Sequence, residues 1–284
     1  MDTDNRRALA AMSLHAITAR CGEAGLRERF AIEITGFPEP DRRRLDRALE
    51  VAARLHAADR RQREPYLNHL LRVAIRIICY YDIRDADVIC AALLHDAVED
   101  HAKELAAGGG IPGALAAIAA RFGDRVADLV GAVTNPSQEP GHDQHEQYRE
   151  HVLASLAANP WARVIKASDF TDNGVGLIHT TGPRVARLAA KYAPLVPGLR
   201  ELIARPDTPL SGAVKAHIIG QLDRAQDRFT AMASGQPRPG ATASGGTEGL
   251  TAWRARRAKR TRRACPEVRG ICPKAEALPD FGQR

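Results

Sequence analysis

Residues 91–100 read AALLHDAVED, a run of Ala, Leu and Val that ionisable side chains interrupt. His95 and Asp96 are adjacent, and Glu99 and Asp100 follow within one helical turn. Burying this much charge is costly unless the charges are paired or bound to a metal. On a continuous helix, His95 and Glu99 share one face and Asp96 and Asp100 share another, because residues four apart are neighbours. The stretch therefore indicates a ligand pair beside an acid–base pair, or else a core helix with a satisfied histidine and a solvated last turn.

Two other segments supply further metal-binding side chains. Upstream, the segment 64–74 reads EPYLNHLLRVA, which places His69 about one turn into a helix, with Pro65 suited to the first turn. Downstream, the segment 163–173 reads RVIKASDFTDN and contains Asp169. Imidazole suits several transition metals, whereas carboxylate and water favour Mn²⁺ and Mg²⁺. The combined set of two His and two Asp therefore predicts a six-coordinate Mn²⁺ site, with positions open for water and a phosphate oxygen.

Together these motifs resemble the HD-domain metal phosphohydrolases, and within them the hydrolase domain of RelA/SpoT homologues, including the small alarmone hydrolases. The resemblance runs from about His56 to about Asn173. It implies that Glu99 and Asp100 position or activate the attacking water. It implies metal ligands at His69, His95, Asp96 and Asp169. It implies substrate-binding residues at Arg61, which would stack on or near the guanine base, and at Tyr66, Lys166 and Asn173.

The composition favours an all-α protein, with 44% hydrophobic and only 5% aromatic residues. Helical periodicity is strong over 41–60, and helices are also predicted over 66–80, 85–100 and most of the remaining body. The only strand-like stretch is FAIEI at 30–34. We therefore expect a single HD-domain helical bundle with a basic tail. The predicted divisions are an N-terminal helical extension at 1–40, the HD phosphohydrolase domain at 41–232 and a disordered basic tail at 233–284.

The formal net charge of +7 is carried by the C-terminal tail. The segment 233–284 contains eleven Lys and Arg against four Asp and Glu, whereas the two signs balance in 1–232. The tail opens with a Gly/Ser/Pro-rich stretch and continues as the basic run 253–263. Because such a run carries no sequence specificity, a solvated extension is the favoured interpretation, and contact with the phosphates of a nucleic acid or another polyanion is the alternative.

Cysteine usage and hydropathy predict a cytoplasmic protein. The chain has five cysteines, an odd number, and contains no CxxC pair, so a disulfide framework is not expected. No apolar run reaches the length of a membrane span, and the first ten residues lack the pattern of a signal peptide.

The function implied by the resemblance is removal of the 3′-pyrophosphate from (p)ppGpp, giving GDP or GTP and pyrophosphate. Where the family usually carries an Arg-containing stretch near the nucleotide, this chain has Gly174–Leu177. That departure favours an alternative substrate such as NADPH or a deoxynucleotide. A second alternative is a non-catalytic nucleotide-binding regulator.

Several other histidines are weaker candidates for the site. His142 and His145 lie in a polar segment that is more typical of a helix start than of a second metal site. His101 directly follows the acidic pair and would either reach a phosphate or cap the helix end. His179 would lie at the mouth of the pocket.

Overall fold

A computed structural model describes residues 3–61, 64–135, 144–173 and 189–233. In these ranges the regular secondary structure is helical apart from one short hairpin, which confirms the all-α prediction. The predicted tail lies outside the described residues except for Ala233, and the predicted domain boundaries stay predictions. The helices are α1 (Thr3–Ala11), α2 (Leu14–Ile34), α3 (Glu39–Leu55), α4 (Leu67–Cys79), α5 (Ala86–Leu94), α6 (Ala97–Leu105), α7 (Gly110–Phe122), α8 (Asp124–Val133), α9 (Gln144–Ala158), α10 (Pro160–Asn173), α11 (Val196–Ala204) and α12 (Gly212–Ala233).

Helices α4 and α5 form the centre of the bundle. Both are buried on nearly all sides, which is the pattern expected of a helix enclosed by others rather than of an amphipathic surface helix. Helix α4 packs against α2, α5 and α10, and α5 also packs against α3 and α8. The Asp85 carboxylate starts α5 by accepting hydrogen bonds from the backbone N–H groups of Asp87 and Val88. Residues on α4, α5 and α10 can therefore meet inside the bundle.

The prediction of one continuous helix over 85–100 is wrong. Helix α5 ends at Leu94 and α6 begins at Ala97, so His95 and Asp96 form a turn between them. Neighbouring side chains on a regular helix diverge by about 100° because there are 3.6 residues per turn. In the turn they converge instead, and the His95 Nε2 atom lies 3.2 Å from Asp96 Oδ2.

The strand predicted at 30–34 is also wrong, because this segment forms the last turns of α2. Phe30 and Ile34 lie four apart on the buried face of this helix. Glu33 accepts a hydrogen bond from Arg29 Nε at 2.8 Å, and both charged side chains are buried. In a helix, residues four apart are neighbours, so Arg29 and Glu33 can meet. In an extended strand the same two residues would be four residue positions apart along the strand axis, too far for this contact.

A short hairpin precedes α4. Arg60–Arg61 pair with Glu64–Pro65 in an antiparallel arrangement, so α3 stops at Leu55 instead of continuing to Arg60 as predicted. Pro65 consequently lies in a strand and not in the first turn of α4. The hairpin brings Arg61 and Tyr66 to the start of the helix that carries His69.

Among the described residues, no single helix combines the length and apolarity needed to cross a membrane. Helices α6 and α7 reach that length only when they are taken together, and they are bent by 86° relative to one another.

Candidate metal centre and active site

Three parts of the bundle deliver the predicted metal ligands to one buried point. His69 lies in the first turn of α4, His95 in the turn between α5 and α6, and Asp169 on α10. The ligand atoms of these three residues all lie within 4.8 Å of one another. Asp169 Oδ1 is 3.3 Å from His69 Nε2 and 3.7 Å from His95 Nε2. The site is thus formed by the packing of α4 against α5 and α10.

The two histidines are oriented in the way that metal-binding histidines are. His69 Nδ1 lies 2.9 Å from Asp172 Oδ2, and His95 Nδ1 lies 2.9 Å from the carbonyl oxygen of Ala92. Because these partners are acceptors, each Nδ1 carries a hydrogen and each neutral ring offers a lone pair at Nε2. Both Nε2 atoms are buried and have no hydrogen-bond partner among the described residues. A divalent cation would satisfy them, so these residues fit a metal.

Asp96 completes the predicted four-residue set. Its Oδ2 atom lies 3.2 Å from His95 Nε2 and 3.6 Å from His69 Nε2. The same oxygen accepts a hydrogen bond from the Tyr66 hydroxyl at 2.7 Å. Tyr66 therefore orients Asp96 toward the two histidines, a role that the motif alone does not indicate.

The electrostatics of the cluster are those of a cation site. Burial opposes protonation of His95, yet the charge of Asp96 raises the pKa of His95 to about 10. Burial likewise opposes ionisation of Asp169, but the ammonium group of Lys166, 2.9 Å away, holds the pKa of Asp169 well below its usual range. With no cation bound, the histidines therefore also carry a proton at Nε2, and this positive charge compensates the ionised carboxylates. A divalent cation would displace those protons when it binds.

Glu99 and Asp100 lie in the first turn of α6, beside the cluster. Burial raises the pKa of Asp100 to about 6, and the negative charges of Asp96 and Glu99 add to the effect. Glu99 Oε2 accepts a hydrogen bond of 2.7 Å from the Asn135 side chain. Asp100 is therefore a group that can take up or release a proton near neutral pH.

The four predicted substrate-binding residues adjoin the same cluster. Asn173 Nδ2 donates to Asp169 Oδ1 at 2.5 Å, and Asn173 Oδ1 accepts a hydrogen bond from Arg61. The Arg61 guanidinium also lies 5.2 Å from the centre of the Tyr66 ring. Lys166 is buried against Asp169, so its contact in this structure is with a predicted metal ligand. Contact with a nucleotide stays a prediction for all four.

The sequence interpretation missed Asp172. This carboxylate is 5% exposed and holds His69, while Arg72 and Arg76 donate to it from α4 at 2.8 and 3.0 Å. Arg72 is in turn bound to Glu64 at 2.8 Å. The only signals in the sequence were the four-residue spacing of the two arginines and the three-residue spacing of Asp172 from Asp169.

The other candidates fall into two groups. His142, His179 and Gly174–Leu177 lie outside the described residues, as does the side chain of His145. His101 is described, and its Nε2 atom lies 2.7 Å from Asp59 Oδ2 rather than at the metal centre.

Comparison with known proteins also finds similarity to HD domains and to proteins described as 3′-pyrophosphohydrolases. A family model described as an HD domain matches residues 48–169. The guanosine-3′,5′-bis(diphosphate) 3′-pyrophosphohydrolase of Aquifex aeolicus is 33% identical over 157 residues, which cover 55% of this chain and 20% of that protein. The Drosophila melanogaster protein of the same description is 30% identical, covering 44% of this chain and 64% of the relative. The human one is 33% identical, with coverages of 43% and 63%.

The chain spans less than two thirds of the length of each of these relatives. A solved structure described as a metazoan orthologue of SpoT that hydrolyses ppGpp matches with a TM-score of 0.48 and 24% identity, covering 65% of this chain and 94% of that one. The family match covers His69, the His95–Asp96 turn, the acidic pair and Asp169. Residues 48–169 are therefore similar to HD domains, and they resemble the hydrolase domain of RelA/SpoT homologues.

Proposed function

We propose that this protein is a metal-dependent phosphohydrolase that removes the 3′-pyrophosphate from (p)ppGpp, giving GDP or GTP and pyrophosphate. The observation that carries the proposal is the pair of unpartnered, buried Nε2 atoms of His69 and His95, which face Asp169 beside an acid with a pKa near 6. The relatives described as 3′-pyrophosphohydrolases support the substrate class.

The residues of the site would divide the reaction between them. A divalent ion held by His69, His95, Asp96 and Asp169 would polarise a phosphoryl oxygen and lower the pKa of a water. Asp100 would accept the proton that the attacking water loses, and Glu99, held by Asn135, would keep that water in place. The new bond joins the water oxygen to phosphorus. The bond between phosphorus and the 3′-oxygen would break, and the leaving oxygen would take the proton that Asp100 had accepted from the water.

Four residues at the rim of the cluster would bind the nucleotide. Arg61 would leave Asn173 and stack on the guanine base, for which a planar guanidinium is well suited. Asn173 would then be free to donate to the nucleotide. Tyr66 and Lys166 would act mainly by holding Asp96 and Asp169, and secondarily through contacts with the substrate.

The test is Mn²⁺-dependent turnover of ppGpp, with products separated by ion-exchange chromatography. We expect GDP and pyrophosphate, with turnover abolished in Asp96→Ala and retained in Asp128→Ala, which removes an exposed carboxylate on α8. Loss of turnover in both variants, or no turnover by the metal-loaded protein, would contradict the proposed reaction. In the second case, NADPH and deoxynucleotides would be assayed next, because Gly174–Leu177 departs from the family pattern.

A non-catalytic nucleotide-binding regulator is the other function to separate. Such a protein would bind ppGpp without consuming it, and it would not need the metal ligands for binding. Retention of ppGpp affinity in Asp96→Ala together with absent turnover by the wild type would favour the regulator.

Three finer features belong to the same proposal. Mn²⁺ is the proposed metal because two carboxylates accompany the two imidazoles, and a comparison of turnover with Mn²⁺, Mg²⁺ and Zn²⁺ tests it. The cytoplasm is the proposed location, where the nucleotide substrate would be found. The basic tail is proposed to hold the enzyme weakly on a polyanion such as nucleic acid.

A further inference from the structure

A second group of metal-binding side chains lies outside the centre described above. His56 follows the end of α3, Asp59 lies in the next loop, and His101 is on α6. His56 Nδ1 and His101 Nε2 each lie 2.7 Å from the same oxygen, Asp59 Oδ2. The three ligand atoms are all within 4.8 Å of one another. We call these three residues the His–Asp–His cluster.

The His–Asp–His cluster is separated from the first centre by Tyr66. The ring of His56 stacks on that of Tyr66, with centroids 4.6 Å apart and planes inclined by 9°. The hydroxyl of Tyr66 donates to Asp96 on its other side. The two groups of ligands are thus neighbours with no shared residue.

Both histidines are held in orientations that aim one nitrogen at Asp59. His101 Nδ1 lies 3.5 Å from Glu104 Oε1, the kind of outer carboxylate that fixes a ligating histidine. The backbone of α6 leaves helical geometry at His101, with φ −131° and ψ 32°. The ring of His101 meets that of His56 edge to face, with centroids 4.6 Å apart.

His56 is difficult to explain as a purely structural residue. It is 2% exposed, and its Nε2 atom is buried with no hydrogen-bond partner among the described residues. A buried polar atom without a partner costs about 1–3 kcal/mol of stability, so a residue retained only for packing would normally be apolar. Coordination through Nδ1 would replace the hydrogen bond to Asp59 by a metal bond and would leave the ring hydrogen on Nε2.

We propose that the His–Asp–His cluster is a second cation site that takes a transition metal of the Zn²⁺ class. Two imidazoles and one carboxylate are the donor set of three-ligand zinc sites, in which water occupies the fourth position. The side chain of Asp59 is 32% exposed, so water and the ion have access from solvent. Because this set has one carboxylate fewer than the first centre, it favours Zn²⁺ or Co²⁺ over Mn²⁺ and Mg²⁺.

The test is to count bound Co²⁺ in the full chain, using equilibrium dialysis and visible absorption. Four-coordinate Co²⁺ absorbs visible light much more strongly than six-coordinate Co²⁺, so the second site has its own spectroscopic signature. We expect Asp59→Asn and His101→Gln each to lose one bound equivalent and the strong absorption. His217→Gln, an exposed histidine on α12, should lose neither. Unchanged binding and absorption in Asp59→Asn and His101→Gln would overturn the proposal.

Two further measurements keep the result interpretable. The double variant His95→Asn/Asp169→Asn removes the first centre and should keep the strong absorption, so the two sites are counted separately. Crystals of the wild-type protein soaked in Co²⁺ need no variant, and an anomalous peak between Asp59 and His101 is expected. Absence of that peak at saturating Co²⁺ would overturn the site, whether or not the protein hydrolyses ppGpp.

Discussion

At the scale of single residues, the two histidines of the first centre are held by different partners. His95 donates to a neutral backbone carbonyl, whereas His69 donates to the carboxylate of Asp172. A carboxylate partner makes the imidazole a stronger ligand and fixes the ring against rotation. Asp172 is in turn held by two arginines, so its negative charge is compensated despite burial. The affinity of the proposed centre for its metal should therefore depend on Asp172, a residue that would not contact the metal.

We expect Asp172→Asn to weaken Mn²⁺ binding by about 10- to 100-fold, the usual effect of losing such an outer partner. The amide retains an acceptor for His69 but loses the charge that faces the arginines. Isothermal titration of the metal-free protein with Mn²⁺ measures the change. The control is Asp223→Asn, which removes an exposed ion pair with Arg200. Equal affinity in wild type and Asp172→Asn would show that the carboxylate does not support the ligand.

The raised pKa of Asp100 predicts the acid limb of the activity profile. Its pKa is about 6, so the carboxyl is mostly ionised at pH 7 and mostly protonated at pH 5. If ionised Asp100 is the base, kcat/KM should fall about tenfold per pH unit below pH 6. Turnover of ppGpp measured between pH 5 and 8 checks this expectation. Asp100→Asn should lower the rate at every pH and remove that limb, whereas an unchanged limb would assign it to another group.

At the scale of helices and strands, the long helices could be predicted because their apolar periodicity is local information. The turn at His95–Asp96 could not, since Ala91–Asp100 consists mostly of good or tolerable helix-forming residues. The turn brings Asp96 to within 3.6 Å of His69 and His95 to within 3.7 Å of Asp169, and both of these partners are distant in the sequence. The hairpin could not be predicted either, because its strands contain only two residues each and therefore show no alternating pattern.

Gly123 forms the sharp turn between α7 and α8. It ends one helix and begins the next with φ 98° and ψ 159°, a conformation that L side chains rarely adopt. We expect Gly123→Ala to lower the free energy of unfolding by about 1–3 kcal/mol, measured by urea denaturation. Gly220→Ala within α12 is the matched control and should raise it by about 0.5–1 kcal/mol, because alanine is the better helix former. Stabilisation by both substitutions would mean that this turn tolerates a side chain.

At the scale of the whole chain, the sequence motifs predicted which four side chains would be metal ligands, but they did not indicate the residues that contact them. His69, His95, Asp96 and Asp169 follow from residue type and order. Asp172, Asn135 and Asp59 have ordinary local surroundings, and their roles depend on partners 103, 36 and 42 positions away. Such pairs are created by helix packing, which the periodicity of one segment cannot predict.

The uneven charge of the chain makes a prediction about its basic tail. Replacing the Lys and Arg residues of 254–263 by Gln should leave ppGpp turnover unchanged, because the metal cluster lies in the electrically balanced body. Binding to single-stranded RNA or heparin should weaken and lose its salt dependence, since phosphate contacts are electrostatic. Fluorescence anisotropy at two salt concentrations measures this, and removal of 234–284 should have the same effect. Unchanged polyanion binding would assign that affinity to the body.

The proposed metal centre also has a consequence for the order of events during refolding. His69 and Asp172 are 103 residues apart, and His95 lies between them in the turn that joins α5 to α6, so no short fragment contains the site. Helices form within microseconds, whereas closing long loops and docking distant segments are slower. Chelation should therefore begin only after most of the chain has assembled. In a stopped-flow experiment, uptake of Mn²⁺ would lag behind the recovery of helical circular dichroism and would report native docking directly.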